Sequence, residues 1–339
     1  MTTQYFDRET LEVKKTDMAF INTWAPTLRK LKAPNLFKGE LILQYPFNWK
    51  ELGYLDGVSL EDDGNTTSVS KFAQKDLDPL HVAIWGLDQF SSFIMEGDIR
   101  GRYNSRRSAD WLVENMVSWE KHFFAWPTQK DIPFYNLKKP WLSATVHALG
   151  ISLLLRVAYL NRDAAYEEAA QNITRLFFLT IKEKGIATVK KGGAIVYEEY
   201  QTEDSVLTLA GHLFSLISLY EYARYSKEQT IEKIFHSGVT GLKAVIEKFD
   251  TGTWLLYDLH KSARFASSLH ILRCCRLLDH FIEMTGLLEL APYSQKWYGY
   301  LQNNDNMKQR LHNYVRLKKL WLFPKKFGLD RTNIRDAPH

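Results

Sequence analysis

The feature that most constrains this chain is an alternation between two kinds of helix-length segment. Residues 141–160 are apolar on nearly every side, as are residues 204–225, with Leu207, Leu209, Leu213, Phe214, Leu216, Ile217 and Leu219. A helix with no polar stripe must be enclosed by other elements. Each is followed by an amphipathic segment, 163–182 and 227–249, able to cover it on one side and meet water on the other. A helix opening with Asp78 as N-cap and Pro79 at its first position, paired with 105–122, precedes them, and 264–284 with 293–314 follows. Four inner and four outer helices predict a mainly α chain folded as an incomplete α/α toroid. With 45% hydrophobic residues among 339, the chain can fill the core this requires.

The segment 185–201, GIATVKKGGAIVYEEYQ, interrupts the helices. Ala187-Thr188-Val189 and Ala194-Ile195-Val196 flank a turn containing Gly192-Gly193, which predicts a short β-hairpin. Behind it stand Tyr197, Glu198, Glu199 and Tyr200, four adjacent ionisable groups in front of the most apolar helix. The chain thus divides into an irregular arm with short strands (1–77), the toroid (78–312) and a basic tail (313–339).

Charge and cysteine content narrow the function classes. The net charge of +5 favours an anionic partner. Basic runs at 100–107 and 316–326 and the acidic Glu61-Asp62-Asp63 read as solvated faces. The aromatic, basic tail also suits docking onto a membrane surface or a partner enzyme of the same pathway. Cys274 and Cys275 are adjacent in an apolar helix, which excludes a disulfide framework and reads as buried packing. Without a signal-like or membrane-spanning run, the expected location is cytoplasmic, peripheral to the inner membrane if the tail is used. No metal-ligand spacing, phosphate-binding glycine loop or dinucleotide fingerprint occurs, so no metal, cofactor or nucleic acid is expected.

Several segments occur in a recognisable order: 79–87 (PLHVAIWGL), 109–113 (ADWLV), 141–144 running to 156–159, and Tyr197-Glu198-Glu199-Tyr200 running to Gly211 and 215–220 (SLISLY). Residues 241–243, Asp250-Thr251-Gly252 and Tyr257-Asp258-Leu259 follow. In content and order they resemble the C-terminal catalytic domain of the D-glucuronyl C5-epimerases, which invert the uronic acid of heparosan-type polysaccharides. The resemblance spans about residues 79–259. It implies an α/α architecture, an anionic polysaccharide or oligosaccharide as partner, and proton abstraction and re-addition at C5. A homodimer is compatible with it.

Removing that proton beside a carboxylate requires the carboxylate to be neutralised while charge builds on it, and two groups on opposite ring faces must exchange the roles of base and acid. By resemblance Glu199 falls on the family's acid/base glutamate, Tyr200 on the tyrosine beside it, Tyr257 on the tyrosine of the YDL segment, and Arg264 on an arginine suited to the substrate carboxylate. Tyr197, His147, His270 and Trp85 complete the candidate substrate contacts. The chain departs from the family at Phe265, Ala266, Ser267 and Ser268, where Trp-Asp-Tyr-His is usual and the tyrosine is the second acid/base group. It also departs at 142–149, where Tyr-Ser-x-Met-Ala-Gln-Gly-Gln becomes LSATVHAL, at Ile84-Trp85, and at Ala210 in place of an asparagine. Three readings stay open: epimerisation with His147, His260, His270 or Tyr197 replacing the lost phenol, polysaccharide or partner binding without chemistry, and a uronide lyase.

Overall fold

The computed structural model describes Tyr45, Trp49 and residues 78–120, 123–262 and 264–302. The strands expected in the arm, the acidic 61–63 run and the basic tail lie outside these residues. The described chain forms eight helices in four antiparallel hairpins: α1 (Pro79–Glu96) with α2 (Ile99–Glu114), α3 (Ala144–Asn161) with α4 (Ala164–Thr174), α5 (Leu209–Ser226) with α6 (Gln229–Val245), and α7 (Ser268–Thr285) with α8 (Ala291–Gln302).

One local device turns three of these hairpins. A single left-handed residue ends the first helix, and an acidic residue directly after it precedes the next: Gly97-Asp98, Arg162-Asp163 and Lys227-Glu228. The left-handed residue stops the helix, and the Asp98 and Asp163 carboxylates accept from the N–H groups of Arg100 and Ala165 (both 3.0 Å). The inner helices α1, α3, α5 and α7 pack consecutively, and no packing of comparable extent joins α7 back to α1 among the described residues. The ring is therefore an open arc, an incomplete α/α toroid. Helix α3 is apolar and long enough to cross a membrane, but 83% of it is buried inside the protein, as a toroid's inner helix should be.

The structure revises several expected boundaries. The second helix runs 99–114 rather than 105–122, and the chain then forms a hairpin of β1 (Val117–Trp119) and β2 (Phe123–Ala125), a three-residue pairing too short for periodicity to reveal. The outer helices α4 and α6 end in 3-10 turns at Arg175–Phe178 and Ile246–Phe249. The expected hairpin at 187–197 is present as β3 (Ala187–Val189) and β4 (Ile195–Tyr197). Cys274 and Cys275 are free and buried.

Inside the arc, Arg156 of α3 and Glu221 of α5 form a fully buried pair, Nη2 to Oε1 2.6 Å, with Ser152 donating to the same carboxylate (2.6 Å). Tyr45 lies over the guanidinium at 4.8 Å and stacks on Trp49, which stacks on Phe214. Part of the N-terminal arm therefore packs into the toroid core. Arg156→Met should lower unfolding free energy by about 3 kcal/mol or more, because it leaves Glu221 buried without its cation. Denaturant unfolding checks this, and adding Glu221→Leu should restore much of the loss.

Candidate active site

Three segments converge at the N-terminal ends of the inner helices: the extended chain leaving β4, the loop 132–141 entering α3, and the turn 250–266 entering α7. The first is pinned across the start of α3. Ala144 donates to the Glu198 carbonyl (3.1 Å) and Leu142 to Gln201 Oε1 (3.0 Å), while Gln201 Nε2 donates to the carbonyls of Lys184 and Gly185 (2.8 and 2.9 Å). The chain leaves β4 after Tyr197 and bends at Glu199, and the neighbouring glutamates part company. Glu198 is buried against Ser205 (2.5 Å), and Glu199 meets the helix ends.

Glu199 Oε2 accepts from Thr145 Oγ1 in the first turn of α3 (2.5 Å) and from Thr208 Oγ1, the N-cap of α5 (3.2 Å). Ser143, the N-cap of α3, donates as well. Two helix N-termini thus face one carboxylate, a place where the helix dipole favours negative charge. Burial pushes the pKa of Glu199 above the ordinary carboxylate range all the same, the three hydroxyls only partly opposing it. Gly211 leaves the room: a Cβ there would lie 2.4 Å from Glu199 Oε2.

Beside the carboxylate stands an aromatic cluster. The hydroxyls of Tyr200 and Tyr257 are hydrogen-bonded at 3.0 Å. The Tyr200 ring lies 4.6 Å from Tyr135 and 5.6 Å from Trp141. Tyr257 donates its backbone N–H to the Arg264 carbonyl (2.6 Å), and this cross-turn pairing sets the Arg264 guanidinium 4.3 Å from the centre of the Tyr257 ring. Arg264 Nε donates to Asp258 Oδ2 (2.9 Å), its Nη2 also bonds the Tyr135 hydroxyl, and Tyr135 donates to the same Asp258 oxygen (2.6 Å). Burial raises all three phenols. For Tyr257, burial and the charge of Glu199 are partly opposed by the hydrogen bond with Tyr200 and by the Arg264 cation.

The structure brings Glu199, Tyr200, Tyr257, Arg264 and His270 together, and corrects two other candidates, Tyr197 and His147. Tyr197 is fully buried, its hydroxyl spent on the Ile234 carbonyl (3.1 Å). His147 is a core histidine: its Nδ1 bonds the Ser143 carbonyl (2.7 Å), its Nε2 accepts from the Trp126 N–H (3.1 Å), and burial lowers its pKa to about 4. Trp85 is a buried residue of α1. His270, in the first turn of α7, packs its ring 4.5 Å from Tyr257, and its Nε2 has no partner among the described residues. Burial lowers its pKa to about 3, so it meets Tyr257 as a neutral ring. Ser267, where a second phenol was expected, caps α7 through the His270 N–H (3.1 Å).

Sequence reasoning missed Tyr135, Asp258 and Thr145. Tyr135 sits in a proline-punctuated loop with no periodicity to mark it. Thr145 replaces an apolar family residue and supplies a donor to Glu199, so the helix start that lost polar groups also gained one. Among the described residues no group of three or more His, Cys, Asp or Glu could hold a metal ion.

Residues 120–299, more than half of the chain, match the family described as D-glucuronyl C5-epimerase C-terminus. The chain belongs to that family. Within the matched span lie Glu199, Tyr200, Tyr257 and Arg264, so this epimerase-family domain carries the whole converging cluster. The D-glucuronyl C5-epimerase of Caenorhabditis elegans is 31% identical over 170 residues, an alignment covering 46% of this chain and 27% of that protein. The chain therefore matches about a quarter of the length of that curated relative. Among solved structures, the unsaturated glucuronyl hydrolase of Bacillus sp. GL1 aligns at a TM-score of 0.44 and 15% identity, over 84% of this chain and 81% of that one. The enzyme of the same name from Streptococcus agalactiae gives 0.43 and 12%, over 85% and 78%.

Proposed function

We propose that this epimerase-family chain inverts C5 of a glucuronyl residue in an anionic polysaccharide, with Glu199 and Tyr257 as the acid/base pair. What carries the reading is a half-buried carboxylate held by hydroxyls at two helix N-termini, beside a hydrogen-bonded phenol pair under an arginine. One group takes the C5 proton, the electron pair left on C5 spreads into the C6 carboxyl, and the other group returns a proton to the opposite ring face. No bond to oxygen breaks, and the roles exchange with the direction of reaction. Tyr200 donates to Tyr257 as that phenol gives up its proton. Arg264 Nη1, which has no partner among the described residues, is free to meet the substrate carboxylate.

Incubating heparosan-type glucuronans in deuterated water tests the proposal. Deuterium at C5 supports it, an unsaturated uronide product would instead indicate elimination, and no exchange on any uronide would leave a binding protein. The pH profile of exchange should have its acid limb above the reference carboxylate value of about 4.3, because Glu199 must be ionised to take a proton and burial holds its pKa up.

A further inference from the structure

The family's second acid/base tyrosine is absent at Ser267, yet Tyr257 by itself is a half-buried phenol held above its ordinary range. Something must make its proton available, and among the described residues several groups face it. From the chain leaving β4 come Glu199, whose charge opposes ionisation, and Tyr200, whose hydroxyl favours it. From α7 comes the neutral ring of His270, and from its own turn come Asp258, which opposes ionisation, and Arg264, which favours it. Tyr135 reaches the same cluster from the loop before α3.

Arg264 is the one cation in this set, so its placement decides the balance. A guanidinium on a long side chain has many rotamers, and Asp258 alone could hold it in several of them. Tyr135 removes that freedom. Its hydroxyl bonds both the Asp258 oxygen and Arg264 Nη2, its ring lies 4.9 Å from the guanidinium carbon, and Phe134 flanks the same cation at 4.6 Å. The result is a cation clamped between aromatic faces with the Tyr257 ring 4.3 Å away.

We propose that Tyr135 is a positioning residue: with Asp258 it holds the Arg264 guanidinium over Tyr257 and so sets how readily that phenol gives up and takes back a proton. Tyr135 does not itself touch the reacting atoms, since its hydroxyl is spent on Asp258 and Arg264. This role rests on the acid/base assignment of Tyr257 above, and it explains how one site can work without the tyrosine missing at Ser267.

The test is Tyr135→Phe, which keeps the ring and removes the hydroxyl. In protein labelled at tyrosine Cζ, with the Tyr257 signal assigned through Tyr257→Phe, the ionisation of Tyr257 should move to higher pH in Tyr135→Phe. C5 exchange should fall about tenfold in kcat with KM nearly unchanged, the size expected for losing one hydrogen bond to a charged group. An unmoved Tyr257 titration would overturn the proposal, whatever happens to the melting temperature. The titration needs no substrate. If Tyr257 shifts as expected but the wild-type protein exchanges no C5 proton, the epimerase reading fails and the positioning role stands.

Discussion

Glu199→Gln is expected to cut C5 exchange about 10³-fold, the order of contribution of a general acid/base group, while raising the melting temperature at neutral pH. The two effects share a cause. Burial raises the pKa of Glu199, so its charged form is the less favoured one in the folded protein. A carboxyl whose folded pKa exceeds its unfolded value contributes stability that is fully present below the unfolded pKa and is lost as pH rises through the folded one. Glutamine is neutral throughout and still offers a carbonyl oxygen to Thr145 and Thr208. Variant and wild type should therefore melt alike below about pH 4, and the variant should gain as pH rises through the folded pKa and hold that gain beyond it. Glu198 is raised as well, but it is present in both proteins and cancels. Thermal scans across pH, paired with exchange rates, check both halves. Full turnover in Glu199→Gln would remove Glu199 from the chemistry.

Much of the scaffold was legible because inner and outer helices differ in kind. Helices α3 and α5 must be buried all round to form a toroid wall, and that demand writes an uninterrupted apolar pattern that no local preference can mimic. Boundaries were less legible: α2 and β1–β2 share a stretch where neither period dominates, and the Gly97-Asp98 and Arg162-Asp163 turns carry two-residue signals that a scan for longer punctuation passes over. In the candidate site, Glu199 and Tyr257 could be singled out because they lie in contiguous motifs. Tyr135 could not, since its partners Asp258 and Arg264 are more than 120 residues away and only the folded loop before α3 brings them together. Tyr197 and His147 misled for the opposite reason. They stand next to site residues in sequence, but alternation along the strand and the turn of the helix direct them into the core.

Gly211→Ala is expected to lose activity to the same order as Glu199→Gln, about 10³-fold, although it touches no titratable atom directly by chemistry. Gly211 is in the first turn of α5, its N–H donating to Thr208 Oγ1 (3.1 Å). A Cβ on it would lie 2.4 Å from Glu199 Oε2, 2.8 Å from Thr208 Oγ1 and 3.1 Å from Thr145 Oγ1, so it would occupy the meeting point of the carboxylate and two of its donors. Something has to give. The backbone of α5 is packed on both sides by α3 and α7, and Thr208 is fixed as the N-cap, which leaves the Glu199 side chain as the group that moves. A carboxylate swung away from Thr145 and Thr208 no longer faces the helix ends, and misplacement by an ångström at a reacting centre is enough for a loss of about 10²-fold on its own. Alanine is favoured over glycine inside a helix by about 1 kcal/mol, which offsets part of the steric cost to folding. The expected outcome is a folded protein with little turnover. A helical circular-dichroism spectrum and melt near wild type, together with lost C5 exchange, would locate the defect at the carboxylate. Normal exchange would show that Glu199 has a second productive position. Pairing Gly211→Ala with Glu199→Gln should then cost no more activity than either change alone, because both remove the same carboxylate from the same place.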